Sequence, residues 1–173
     1  MKRVILILAI LIYGVFQTQA QEQEQQPTIK YAVSIESGFN AGLNHFGLEH
    51  TVVNGFRINN KHVVGFGIGI GTNFSDPVVY CPISANYRYY FNTKDFSPHV
   101  NIALGGMMTE DGGGIYSTLT AGFRHHRFTF SSGVFFQAYQ YEEYYYDVWY
   151  APHKTKTINA FPWGFVAKLG VAF

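Results

Sequence analysis

Phe161-Pro162-Trp163-Gly164-Phe165-Val166-Ala167-Lys168-Leu169-Gly170-Val171-Ala172-Phe173 places an apolar side chain at every second position, from Phe161 and Trp163 through Leu169 and Val171 to Phe173. Period two means a strand, because successive side chains of an extended chain leave on opposite faces. The same alternation recurs along the chain upstream, from Ile29 onward, and no 3.6-residue stripe competes with it.

Strand one sets Ile29, Tyr31, Val33, Ile35 and Phe39 opposite Lys30, Ser34, Glu36 and Asn40. Strand two, about 46–57, sets Phe46, Leu48, Val52 and Phe56 opposite Glu49, Thr51 and Arg57. Ile58-Asn59-Asn60-Lys61 between them and strand three reads as a tight turn, since asparagine tolerates positive φ. In strand three Val64, Phe66, Ile68 and Ile70 alternate with Gly65, Gly67, Gly69 and Gly71. Strand four opposes Val79, Cys81, Ile83, Ala85, Tyr87, Tyr89 and Phe91 to Tyr80, Ser84, Asn86 and Arg88. Strands five, six and seven repeat the pattern around Val100-Ile102-Leu104, Ile115-Leu119-Phe123 and Phe128-Phe130-Val134-Phe136. Expected turns lie at 57–61, 92–97 and 124–127, and longer loops at 40–45, 74–77, 109–114 and 142–157.

The 173 residues fit one domain, and 18% aromatic with 13% charged residues excludes disorder. A formal charge of +1 gives no electrostatic footing for nucleic acid. One cysteine allows neither an internal disulfide nor a thiolate zinc cluster. Met1-Lys2-Arg3, the apolar run Val4–Phe16 and Gln17-Thr18-Gln19-Ala20 read as a secretory signal peptide over 1–20. Residues 21–28 read as a polar, flexible periplasmic leader, and 29–173 as the folded domain.

The apolar face is aliphatic in mid-strand and aromatic towards both ends, as in Tyr87-Tyr89-Phe91 and Phe161-Trp163. A soluble sandwich has no need of aromatic bands at two heights. A bilayer has two interfaces that favour rings, with hydrocarbon between them. Lipid also demands that every backbone amide be paired, which a closed barrel achieves. The expected fold is all-β: an eight-stranded antiparallel transmembrane up-and-down barrel.

On this alternation and the aromatic end at Phe173, the chain resembles the small eight-stranded outer-membrane β-barrel proteins of Gram-negative bacteria, an opacity-like barrel group, over its whole mature length. The resemblance implies integral outer-membrane localisation with both termini periplasmic. It makes Leu169, Val171 and Phe173 the signal read by the barrel-assembly machinery, and it implies contact with outer-membrane lipid and lipopolysaccharide. The role it implies is structural or surface-interactive, in adhesion or envelope integrity.

Eight strands enclose space just wide enough for side chains, so no conducting pore is expected. Inward charges form a lumen polar network of Lys30, Glu36, Glu49, Arg57, Arg88, Arg124 and Lys168. Arg57, Arg88, Arg124, Lys30 and Lys168 fall in its lower part, with the carboxylates above, and ion pairs plus water are the expected arrangement. An anion site at that mouth is the sharper alternative. Gly65 to Gly71 clear one inner wall for the arginines and tyrosines.

Two classes of outer-membrane barrel enzyme, a lipid A deacylase and an acyltransferase, use histidine with serine and an acid. Here His50 falls on the outer face, with Ser37 diagonal to it on the neighbouring strand. Glu36 and Glu49 point inward, so no carboxylate completes the set, and no enzyme is expected. A lipid A hydrolase or acyltransferase stands as one alternative, and a soluble periplasmic ligand-binding barrel as another. His45 and His50 fall on opposite faces of a strand and make no zinc pair, and no cofactor is expected. Tyr144, Tyr145, Tyr146, Trp149 and Tyr150 serve either as an upper interfacial belt or as a recognition surface for an extracellular protein or glycan.

Overall fold

A computed structural model describes residues 27–43, 45–75, 78–110, 112–145 and 154–173. The expected signal peptide lies outside the described residues. Nine strands are described: β1 (Ile29–Gly42), β2 (His45–Ile58), β3 (His62–Asn73), β4 (Val78–Tyr90), β5 (Phe96–Thr109), β6 (Gly112–His125), β7 (Phe128–Tyr145), β8 (Lys154–Ala160) and β9 (Trp163–Ala172).

Each strand from β1 to β7 pairs antiparallel with the next. β9 closes the circle by pairing with both β1 and β7. Phe173 completes the seam, its N–H donating to the Val33 carbonyl at 2.7 Å and its carbonyl accepting from Val33 N–H at 3.2 Å. Along β7, β9 pairs with Phe128–Phe136, and β8 takes over from Tyr139 to Tyr145. β8 and β9 are therefore two segments of one stave, and the barrel has eight staves. The break falls at Phe161-Pro162, where proline has no N–H to donate to a ladder. The Pro162 carbonyl still accepts from Gln137 N–H at 2.9 Å.

The described strands run further than the sequence pattern does. Residues 142–157 are not all loop: Glu142 pairs with Thr157 and Glu143 with Lys156 in a two-stranded ribbon. β8 pairs only with β7, so the ribbon borders no other strand and its residues need not alternate in polarity. The glycine-rich 109–114 loop is likewise mostly ladder, with Thr109 opposite Gly112 and Met108 opposite Gly113. Asn59 and Asn60 take φ of 52° and 57°, the mirror-image turn whose twist matches a hairpin.

The polarity of the barrel is inverted relative to a soluble protein. Ser34, Glu36, Asn40, Glu49, Asn73, Ser84, Arg88, His99, Asn101 and Lys168 are buried inside, while Ile35, Leu48, Val52, Ile68, Ile70, Leu104, Leu119 and Leu169 stand exposed outside. Exposed rings flank these aliphatics: Tyr31, Phe56, Tyr87, Phe91 and Phe128 towards the end carrying the termini, Phe46, Phe74, Phe161 and Trp163 towards the other. Apolar outside, polar inside and eight staves paired into a ring is the arrangement of a transmembrane up-and-down barrel.

Candidate functional site

The lumen is filled at mid-height by a hydrogen-bonded plug centred on Glu49. Its Oε1 accepts from Tyr116 Oη at 2.7 Å, Lys168 Nζ at 2.8 Å and Thr51 Oγ1 at 3.3 Å. Its Oε2 accepts from Tyr80 Oη at 3.3 Å, and that hydroxyl accepts from Asn40 Nδ2 at 3.1 Å. Lys168 also donates to Tyr116 Oη at 3.3 Å. These contacts tie β1, β2, β4, β6 and β9 to one carboxylate, so opposite walls of the barrel are bonded across its axis. Glu49 is about 1% exposed and takes three donors on Oε1 and one on Oε2.

Tyr80 fits because β3 presents glycine opposite it: a Cβ on Gly71 would overlap the Tyr80 ring. A Cβ on Gly67 would meet Asn86 Nδ2 at 2.6 Å. The glycine wall thus makes room for Tyr80 and Asn86, and no arginine is among the nearest atoms such Cβ atoms would meet.

A second pair lies towards the end of the barrel that carries the termini. Arg88 donates to Glu36 Oε1, both side chains being buried. Arg57 and Arg124 sit against one ring, Tyr90, with guanidinium carbons 5.5 Å and 4.5 Å from its centroid. Around Arg57, Arg88 and Tyr90 is a small cavity of about 20 Å³, lined also by Ser34, Asn86 and Asn101.

Of the seven charges expected to share the lumen, six point inward and Lys30 is exposed at the rim. Lys168 is not grouped with the arginines: it belongs to the Glu49 plug, because β9 pairs Lys168 with Gly38, and Gly38 faces Glu49 across β2. Alternation alone does not carry that register. Tyr80, Tyr116, Tyr90 and Asn40 complete these groupings; inward parity opposite glycine was the signal for Tyr80 and Tyr116, whereas Tyr90 stands opposite His99.

On the outer face Ser37 and His50 are directly opposite in the β1–β2 ladder, correcting the diagonal placement. Ser37 Oγ and His50 Nδ1 are 2.8 Å apart. His45 is buried inside against Phe135, with ring centroids 4.9 Å apart, so the two histidines diverge as the strand demands. Among the described residues no group of three metal-ligating side chains forms. Cys81 is half-buried and free. Tyr144 and Tyr145 belong to β7 in the ribbon, whereas Tyr146, Trp149 and Tyr150 lie outside the described residues. Leu169, Val171 and Phe173 follow one another along the outer side of the closing seam.

No family model matches the chain, and no curated protein does. It is similar to the N-terminal β-barrel domain of Pseudomonas aeruginosa OprF, at 12% identity over 84% of this chain and 100% of that one, with a TM-score of 0.45. It is also similar to Neisserial surface protein A, at 12% identity over 86% of this chain and 98% of that one, with a TM-score of 0.49.

Proposed function

We propose that the chain is an integral outer-membrane protein: a sealed barrel that carries surface elements rather than solutes. The observation behind this is the plug, in which hydrogen bonds through Glu49 join opposite walls across the lumen. The termini lie on the periplasmic side, and the β7–β8 ribbon stands on the outer side among lipopolysaccharide. Tyr144, Tyr145, Tyr146, Trp149 and Tyr150 offer rigid, amphipathic contact area to an extracellular protein or glycan. Leu169, Val171 and Phe173 engage the barrel-assembly machinery during insertion.

Outer-membrane fractions supply the test. The protein is expected to need detergent for extraction and to migrate differently in gels before and after boiling. In planar bilayers it is expected to give no steady conductance. Release into buffer without detergent would support a soluble periplasmic ligand-binding barrel instead.

The Ser37–His50 hydrogen bond favours a second reading, a lipid A hydrolase or acyltransferase working at the lipid face. Among the described residues no carboxylate ion pair orients His50, so the histidine is poorly placed to activate the serine. On the favoured reading the pair hides two polar groups from lipid. Changing His50 to Phe is then expected to leave the lipid A mass spectrum of an overexpressing strain unaltered. A mass shift that appears with the natural protein and vanishes with the variant would establish the enzyme.

A further inference from the structure

We propose that the lumen at the end carrying the termini binds a small oxyanion, held by Arg57 and Arg124 with Arg88 at its inner wall. The charge balance is the first argument. Three guanidinium groups converge there, and among the described residues a single carboxylate, Glu36, ion-pairs with any of them. That carboxylate is committed to Arg88, leaving Arg57 and Arg124 facing Tyr90 with no acid beside them. Arg124 is about 8% exposed, too enclosed for bulk water to screen its charge. A ring face offsets only part of the desolvation cost of a buried charge.

Shape and lining are the second argument. Arg57 and Arg88 line the cavity with Ser34, Asn86 and Asn101, the rest of its wall being Tyr90 and small apolar side chains. Arg124 does not line it but stands against the Tyr90 ring that does. The Nε atoms of Arg57, Arg88 and Arg124 have no protein acceptor. His99 is about 1% exposed, with its ring 5.4 Å from Tyr90. Planar guanidinium forks with free N–H groups match the paired oxygens of phosphate or carboxylate better than a spherical halide. The site rests on the barrel itself and not on the membrane in which the barrel resides.

The experiment uses the full mature barrel refolded in a nonionic detergent, with the heat-sensitive gel shift as proof of folding. Inorganic phosphate is titrated in at constant ionic strength against chloride, and the arginine Nε–H resonances are followed by NMR. A saturable shift confined to the lumen arginines is expected, with a dissociation constant on the order of 1 mM. Arg124→Gln should weaken it roughly tenfold, while Arg127→Gln, at an exposed turn, should leave it unchanged. Displacement of phosphate by monomeric dihexanoyl phosphatidic acid would assign the natural ligand to a lipid headgroup, and failure to displace it would assign a free anion. Linear shifts without saturation in the folded natural protein would overturn the proposal. So would unchanged binding in the Arg57→Gln/Arg124→Gln double variant.

Discussion

Lys168→Met is expected to lower the stability of the barrel by roughly 3–5 kcal/mol, the cost of stranding a buried carboxylate. The substitution keeps the length and the apolar stem of the side chain and removes only the ammonium group. Glu49 would retain the hydroxyl donors Tyr116, Tyr80 and Thr51, but its charge would stand buried with no cation beside it. Three neutral hydrogen bonds do not balance that, at about 1 kcal/mol net each. Urea titration of the barrel folded in lipid vesicles, read as the fraction keeping the fast-migrating gel form, gives the loss directly. Adding Glu49→Gln to Lys168→Met should restore most of it, because the amide needs no counter-charge: its oxygen accepts from Tyr116 and Thr51, and its NH2 donates to the Tyr80 hydroxyl. Equal loss in the single and double variants would mean that the two side chains are not coupled, and the plug would lose its central contact.

That coupling also marks where the sequence stops being informative. Alternation assigns a face to each residue, and in the structure Glu36, Glu49, Arg57, Arg88, Arg124 and Lys168 lie on the inner face. It carries no register between strands distant in the chain. Whether Lys168 meets Glu49 or the arginines depends on how β9 slides along β1, a quantity fixed by the closing of the ring. For Ser37 and His50 the error was of register alone, since a hairpin offset by one pair turns a direct partner into a diagonal one. The ribbon of β7 and β8 was illegible for another reason. It leaves the half-buried wall that imposes period two, so Glu142, Glu143, Thr155 and Lys156 form a ladder without any hydrophobic rhythm.

Ile68→Arg should cost roughly 2–4 kcal/mol in a bilayer, whereas Phe128→Arg should cost about 0–1. Both positions point outward and are more than half exposed, so packing inside the protein barely distinguishes them. They differ in height. Ile68 lies in the middle of β3 between Val52 and Ile83, while Phe128 opens β7 beside the turn at His126. A guanidinium at Ile68 must either stay in hydrocarbon or drag water and headgroups down to it; at Phe128 it reaches the interface with its own stem. In water the sign for Ile68 would reverse, because an exposed isoleucine traded for arginine removes apolar surface from solvent. The pair of variants therefore separates the environments by direction and not only by size. Folding in vesicles with equal costs at the two positions, or a gain at Ile68, would place the exposed aliphatic belt in contact with something other than lipid tails.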